Sequence, residues 1–310
     1  MSDRDCGDLP VSLVKARFPK LPWQQTALPW ELCRERVNIF HGPAFSLPLW
    51  GKFRKIVTIH DLGFLLDRSW VVEDVRNYLT RMVRLSLKVA DHVIVPSDGV
   101  MQDLLRFFPW LDASDISVIP LGSRFAGDNS NPSSKDSDNP RPYILHVGTL
   151  EPRKNIRRLI QAFELAVTQR GIPHDLVLVG TYGWNMDGWA DELIFPERVI
   201  APGFVDDSQL KIWYQNADLY VQASHHEGFG LGTLDAFCVG LPIVATRTGW
   251  IAENGDSTTV WIENSSQTEA VFDALCRGLL LGHRVKGRDS SQWSWEHSHR
   301  MHWALYQNVV

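Results

Sequence analysis

The stretch from Ala217 to Ala245 confines this chain to few architectures. ADLYV (217–221) is a short apolar pattern ending in polar Gln222, and Gly228 and Gly230 then permit a tight turn. Leu231, Leu234 and Phe237 resume at helical spacing, Gly240-Leu241-Pro242 stops that helix, and Ile243-Val244-Ala245 reads as a second buried strand. The same alternation recurs along the chain. Val37–Pro43 and Lys55–Asp61 read as strands that deliver His41 and His60 at their carboxyl ends, and Val71–Ala90 reads as a helix with Tyr78, Met82, Leu85 and Leu87 among its apolar positions. Asp91–Ser97 and Ile116–Pro120 read as further strands, with a short helix at Gly99–Phe107 between them. Strands alternating with helices predict an α/β fold with parallel sheets, in which ligands sit at the strands' carboxyl ends.

Gly127–Arg141, GDNSNPSSKDSDNPR, interrupts the alternation with a composition that cannot build a core. A chain of 310 residues is long for one core and suits two domains of ~150 residues each. The expected division is 1–140 for a first domain that includes a linker near 127–140, 141–292 for a second, and 293–310 for a C-terminal helix.

Composition narrows the function. Net charge −5 and pI near 6.1 give no reason to expect nucleic acid as a partner. Cys6, Cys33, Cys238 and Cys276 contain no C-x-x-C, the N-terminus is acidic and lacks an apolar region, and no apolar run reaches membrane-spanning length. The expectation is a cytoplasmic protein whose membrane association, if any, is peripheral at the inner face of the cell membrane. Of thirteen tryptophans, Trp23, Trp30, Trp50, Trp184, Trp189 and Trp250 fall in predicted loops or boundaries. No D-x-D stands at a strand end and no zinc-like spacing of His and Cys occurs, so no metal site and no cofactor are expected.

Candidate chemistry lies where strands meet helices. Glu227 precedes the Gly-Phe-Gly turn, and Asp235 follows eight residues later, two turns into the helix, so both carboxylates can flank one molecule bound at the helix start. In the 143–149 strand and its exit, YILHVGT is followed after Leu150 by EPRKN, which puts Arg153 and Lys154 at a strand-to-helix turn where a diphosphate can be neutralised; Asn155 is placed to cap that helix.

VGTLEPRKN and EGFGLGTLD, together with FHGPAFSLP, VTIHD and VIVPSDGVMQDL, resemble the retaining glycosyltransferase family 4. Within it the resemblance is to bacterial mannosyltransferases of polysaccharide biosynthesis. That resemblance implies the GT-B fold, two Rossmann-like domains facing an interdomain cleft. It implies metal-independent transfer, with retention, from a nucleotide sugar that is a co-substrate rather than a cofactor, and GDP-mannose is favoured over a UDP-sugar. The implied acceptor is a lipid-linked or polysaccharide glycan. Roles carry over as follows: Glu227 meets hydroxyls of the donor sugar, Gly228, Phe229, Gly230 and Leu231 hold sugar and phosphate, and Asp235 takes the ribose hydroxyls. Arg153 and Lys154, with Gly148 and Thr149 beside them, hold the diphosphate; Phe204 and Val205 pass the nucleobase edge; His60 stands beside the transferred sugar. Two departures are plain: Asp235 is one methylene shorter than the family's glutamate, and Gly232 replaces a common proline. The family's usual first strand, Gly-rich loop and first helix have no counterpart in the string, so the first domain reads as short. These departures leave a noncatalytic nucleotide-sugar or glycan-binding protein on the same fold as the competing class. A glycoside hydrolase has no need of Arg153-Lys154, and a nicotinamide dehydrogenase needs a G-x-G-x-x-G that follows neither Thr58 nor Leu145.

Overall fold

The computed structural model describes residues 20–127, 141–184, 188–282, 284–285 and 290–309. Most of the expected linker, Cys6 and Asn185 therefore lie outside the described residues.

Among those residues two parallel sheets form. The first comprises β1 (Ile39–Gly42), β2 (Arg54–Thr58), β3 (His92–Val95) and β4 (Ile116–Val118), in sequential order. The second comprises β5 (Tyr143–Val147), β6 (Asp175–Val179), β7 (Val199–Gly203), β8 (Leu219–Gln222), β9 (Ile243–Ala245) and β10 (Thr259–Trp261). Its order is β10-β9-β8-β5-β6-β7, so β5 pairs with both β6 and β8 and the strand order reverses there. The loops leaving β5 and β8 flank that reversal, the place where a crevice for ligand is expected in an open α/β sheet.

Both faces of each sheet are covered, which is why the strands read as continuous apolar runs. Helices Ile156–Arg170 and Thr268–Leu281 pack Leu159, Phe163 and Leu275 on Ile144, Leu178 and Val221. The opposite face is closed by Leu210, Tyr214 and Leu234 against Leu145, Val177 and Tyr220. Helices Glu73–Val89 and Asp98–Phe107 cover one face of the first sheet through Val83, Leu87 and Leu104. The other face of that sheet receives the C-terminal helix Trp295–Val309: Met301, Leu305 and Tyr306 lie on Ile56, Ile94 and Ile119, and the Tyr306 hydroxyl is 2.6 Å from His41 Nδ1.

Several local expectations are corrected. Tyr78 is exposed, because the neighbouring Leu79 takes the inward-facing position on that turn of the helix, in line with Val83 and Leu87. Trp189 and Trp250 are buried, each within an apolar cluster, whereas Trp50 and Trp184 are exposed in loops and Trp30 is exposed on the helix Ala27–Arg34. Asn155 does not cap its helix through its side chain: its backbone is left-handed (φ 58°), and its side-chain amide donates to the carbonyls of Ala223 (3.1 Å) and Ser265 (2.7 Å), tying the β5 loop to the segments that leave β8 and β10.

Candidate active site

The β5 and β8 loops are fastened to each other through two backbone carbonyls. The His225 amide donates to the Arg153 carbonyl (2.9 Å), and the Arg153 guanidinium donates to the His226 carbonyl (2.8 Å). Glu227 follows directly and is only 5 % exposed. Its Oε1 accepts from Lys154 Nζ at 2.6 Å and from Ser224 Oγ at 2.6 Å, and its Oε2 accepts from Arg153 at 3.2 Å. Burial alone would push the Glu227 carboxyl up, but the Lys154 ammonium, then the Arg153 guanidinium, then the hydrogen bonds outweigh it and hold it at about 2. Arg153 also pairs with the Glu151 carboxylate at 2.8 Å. The result is two cations and two carboxylates packed together, with the cations more exposed than the carboxylates. Glu227 stays anionic at any physiological pH, so it is an acceptor of hydrogen bonds and a brace for the cations rather than a proton carrier.

Glycine is required where the chain segments around this cluster approach one another most closely or turn left-handed. Gly148 and Gly180 adopt φ of 156° and 149°, and a Cβ on Gly180 would stand 2.0 Å from the Gly148 carbonyl oxygen. Gly230 sits at φ 89° at the start of helix Leu231–Cys238, whose first amides lack intrahelical partners. At Gly232 a Cβ would meet the Tyr220 hydroxyl at 2.3 Å, which gives the physical reason why this chain carries glycine at that position.

The first domain closes the other side. Ser97, at the exit of β3, caps its own helix by accepting from the Val100 amide and donates its hydroxyl to the Gly228 carbonyl at 2.6 Å. His60 leaves the end of β2 with Nε2 donating to the Pro43 carbonyl (2.8 Å) and its ring edge-on to Phe45. A neutral His60 therefore offers Nδ1 as an acceptor. Thr149 is exposed beside the crevice, and Phe204, 80 % exposed, projects after β7 with Val205 half-buried behind it.

Asp235 stands apart from the Glu227 cluster. It is 3 % exposed, and its Oδ1 accepts from Ser123 Oγ (2.6 Å) and the Arg124 amide (3.2 Å), which belong to the segment leaving the first domain. Burial raises its carboxyl to about 6, against the lowering pull of Ser123 and Arg124. A carboxyl raised above its unfolded value of ~3.9 binds its proton more tightly in the fold, so stability falls as pH climbs from about 4 to 6 and stays lowered above. Asp235→Asn, which keeps an acceptor for Ser123, is accordingly expected to stabilise the protein by roughly 1–3 kcal/mol at pH 7 and by nothing near pH 4. Urea titrations at the two pH values measure this, and equal gains at both would contradict it.

Sequence reading did not find Ser97, Ser123, Ser224 or Trp70, although each touches the site. Ser97 reads as a helix cap and Ser224 as strand-end polarity, and nothing in the string joins Ser123 to Asp235. His225 and His226 do not diverge as an extended dipeptide requires: both rings lie nearly parallel to Trp70, at 6.0 and 6.4 Å between centroids. Among the described residues no group of three or more His, Cys, Asp or Glu side chains is disposed to hold a metal ion. Among them, too, no helix is long and apolar enough to cross a membrane.

Two Rossmann-like domains with a cation pair and an anchored glutamate at the strand reversal of the second define a nucleotide-sugar glycosyltransferase of the GT-B type. The comparisons agree. Residues 7–123 match the model for Glycosyltransferase Family 4, and residues 128–275 match that for Glycosyl transferases group 1. The chain is 28% identical over 301 residues to O-antigen chain mannosyltransferase B of Escherichia coli, covering 86% of this chain and 73% of that one. It is 26% identical over 206 residues to serotype-specific mannosyltransferase WbdA of the same species, covering 60% of this chain and 25% of that protein. The fold is similar to that of sucrose-phosphate synthase from Thermosynechococcus elongatus, with a TM-score of 0.72, 22% identity, and coverage of 93% of this chain and 78% of the other. This chain belongs to glycosyltransferase family 4 and is a retaining nucleotide-sugar transferase.

Proposed function

We propose that the chain transfers mannose from GDP-mannose to a lipid-linked or polysaccharide acceptor, without a metal ion. The observation that carries this reading is the Arg153, Lys154 and Glu227 cluster at the strand reversal. Retaining transfer breaks the bond between the sugar's anomeric carbon and the diphosphate. The acceptor oxygen bonds to that carbon on the same face, and the acceptor proton passes to the departing diphosphate. The principal electrostatic task is the charge on that diphosphate. Arg153 and Lys154 meet it, with the Thr149 amide and the first amides after Gly230 as further donors; Gly148, whose amide is given to the Val179 carbonyl (2.9 Å), contributes only its close backbone approach.

Glu227 holds both cations in place and accepts from donor-sugar hydroxyls, while Gly228, Phe229, Gly230 and Leu231 line the sugar and phosphate. Phe204 and Val205 flank the nucleobase. Asp235 takes ribose hydroxyls with the acceptor capacity that Ser123 and Arg124 leave. His60, whose Nε2 is engaged by Pro43, accepts from a hydroxyl of the transferred sugar through Nδ1. Closure of the cleft excludes water, so that transfer outruns hydrolysis. Mannose is favoured because the two relatives described above are both named mannosyltransferases. Peripheral contact with the inner face of the cell membrane is supported by exposed Trp30 and Trp110, each covered by an arginine (Arg34 and Arg84, 5.1 and 5.4 Å) on the first domain.

A nucleotide that binds only the folded state raises its stability, by about 2.7 kcal/mol at a hundred times Kd. GDP is therefore expected to raise Tm more than UDP or ADP at equal concentration. Incubation with GDP-mannose and a lipid-linked glycan should then release GDP and yield a mannosylated product. A larger shift with UDP moves the donor to a UDP-sugar, and no product from any nucleotide sugar removes the transfer reading.

A further inference from the structure

Trp70 is the one first-domain residue described above whose turn, backbone carbonyl and ring meet three different donor-domain loops. It ends a short turn, Arg68–Trp70, that is built by the Asp67 carboxylate accepting from the Ser69 amide (2.8 Å) and hydroxyl (2.7 Å). That turn lies against Pro152–Lys154 in the loop after β5. Its carbonyl accepts from Trp184 Nε1 (2.6 Å) in the loop after β6. Its indole lies parallel to His225 (5°) and His226 (19°) in the loop after β8.

What these loops carry makes the contact consequential. One peptide bond separates His226 from Glu227, and the His226 carbonyl is itself held by the Arg153 guanidinium (2.8 Å). His225 is further fixed by its amide on the Arg153 carbonyl (2.9 Å) and by Nδ1 near Ser265 Oγ (3.1 Å). Rotation of the 225–226 backbone would carry Glu227 away from Lys154 and free Arg153. The indole, supplied by the opposite domain, stacks on both rings only when the two domains are apposed.

Resting on the transferase reading above, we propose that Trp70 is a positioning residue that couples cleft closure to the alignment of Arg153, Lys154 and Glu227. It touches neither the diphosphate nor the sugar; it acts through His225, His226 and the Pro152–Lys154 turn. Without it the cleft admits water and the cluster loosens. Water then replaces the acceptor hydroxyl as nucleophile, and free sugar and nucleoside diphosphate are released in place of product.

The test compares Trp70→Ala, Trp70→Phe and Trp184→Phe with the wild type, using whichever nucleotide sugar the wild type accepts. A misalignment of about 1 Å costs on the order of 100-fold in rate. Trp70→Ala is accordingly expected to lower kcat for transfer by roughly 10- to 100-fold with KM for the donor nearly unchanged, and to raise the ratio of hydrolysis to transfer. Trp70→Phe keeps an aromatic face for the imidazoles and should recover most of the rate. Trp184→Phe removes only the indole donor and should shift the same ratio more weakly. Nucleoside diphosphate affinity, set within the second domain, should stay within about threefold in all three. Wild-type kcat and hydrolysis ratio in Trp70→Ala overturn the proposal, as does a Trp70→Phe variant no better than alanine. A Trp70→Ala protein that fails to fold leaves Trp70→Phe and Trp184→Phe to decide: unchanged hydrolysis ratios in both overturn it. Should the wild type itself transfer no sugar, the transferase reading falls instead.

Discussion

Glu227→Gln is expected to lose transfer by on the order of 100- to 1,000-fold while binding nucleoside diphosphate as well as the wild type or better. The substitution is nearly isosteric and keeps an oxygen for Ser224 and Lys154, which lie 2.6 Å away. It removes the charge that braces two cations. Arg153 retains Glu151 at 2.8 Å, so Lys154 bears most of the loss. Breaking a buried pair from one side commonly costs ~3–5 kcal/mol, and the partial exposure of both cations brings the expectation to the lower end.

A diphosphate arriving at that site supplies the missing negative charge, which is why affinity for GDP is expected to hold or rise as catalysis fails. The pH dependence gives a second, independent readout. The Glu227 carboxyl sits at about 2 in the fold, below its unfolded value of ~4.3. Its contribution to stability is therefore complete above pH ~4.3 and disappears as pH falls toward 2; the linkage amounts to about 3 kcal/mol. Wild-type stability should fall through that acid window more steeply than that of the glutamine variant. A variant that transfers within threefold of wild type would remove Glu227 from the mechanism, whatever its stability.

How far the string revealed this site follows from the range of each interaction. Strands such as Lys55–Asp61 and Tyr143–Thr149 are legible because parallel strands covered on both faces must be apolar throughout. Arg153, Lys154 and Glu227 are legible because each stands at a strand exit beside glycine or a helix start. Partners that arrive from another domain leave no periodic trace. Ser123 meets Asp235 across 112 residues and Ser97 meets Gly228 across 131. Trp70 lies in a turn with no periodicity of its own. Asn155 shows the converse failure: its position fits a cap, but hydrogen bonds to Ala223 and Ser265 override the local preference. Tyr78 keeps a helical spacing to Met82 and Leu85 yet faces solvent, because the buried face at that turn is set by Leu79 and Val83, and two adjacent apolar residues leave the choice between them open in the string.

Gly228→Ala, the smallest change available at the interface, should be among the most damaging. The backbone of Gly228 lies outside the left-handed region, so conformation alone tolerates alanine there. Proximity does not. A Cβ would stand 2.0 Å from the His60 carbonyl oxygen, 2.7 Å from Asp61 Cβ and 3.0 Å from the His60 carbonyl carbon. These are backbone atoms and the base of a side chain, at the carboxyl end of a central strand, and none can swing aside. The relief with least internal cost is separation of the domains, which stretches the Ser97 hydroxyl away from the Gly228 carbonyl and draws His60 back from the Glu227 cluster. Transfer should fall by on the order of 100-fold, with nucleoside diphosphate affinity within a few-fold of wild type, since those contacts lie in the second domain. Gly230→Ala provides the contrast. Its Cβ would meet only the Gln222 amide tip at 3.4 and 3.6 Å and the Thr233 hydroxyl at 3.6 Å, but its φ of 89° imposes ~1–2 kcal/mol of strain on the turn itself. That variant should weaken nucleotide binding and leave the domains apposed. Small-angle scattering with GDP present separates the two: expansion in Gly228→Ala and none in Gly230→Ala is the expected pattern. A Gly228→Ala protein that keeps wild-type dimensions and turnover would mean that the His60 carbonyl does not press on Gly228 in the working enzyme.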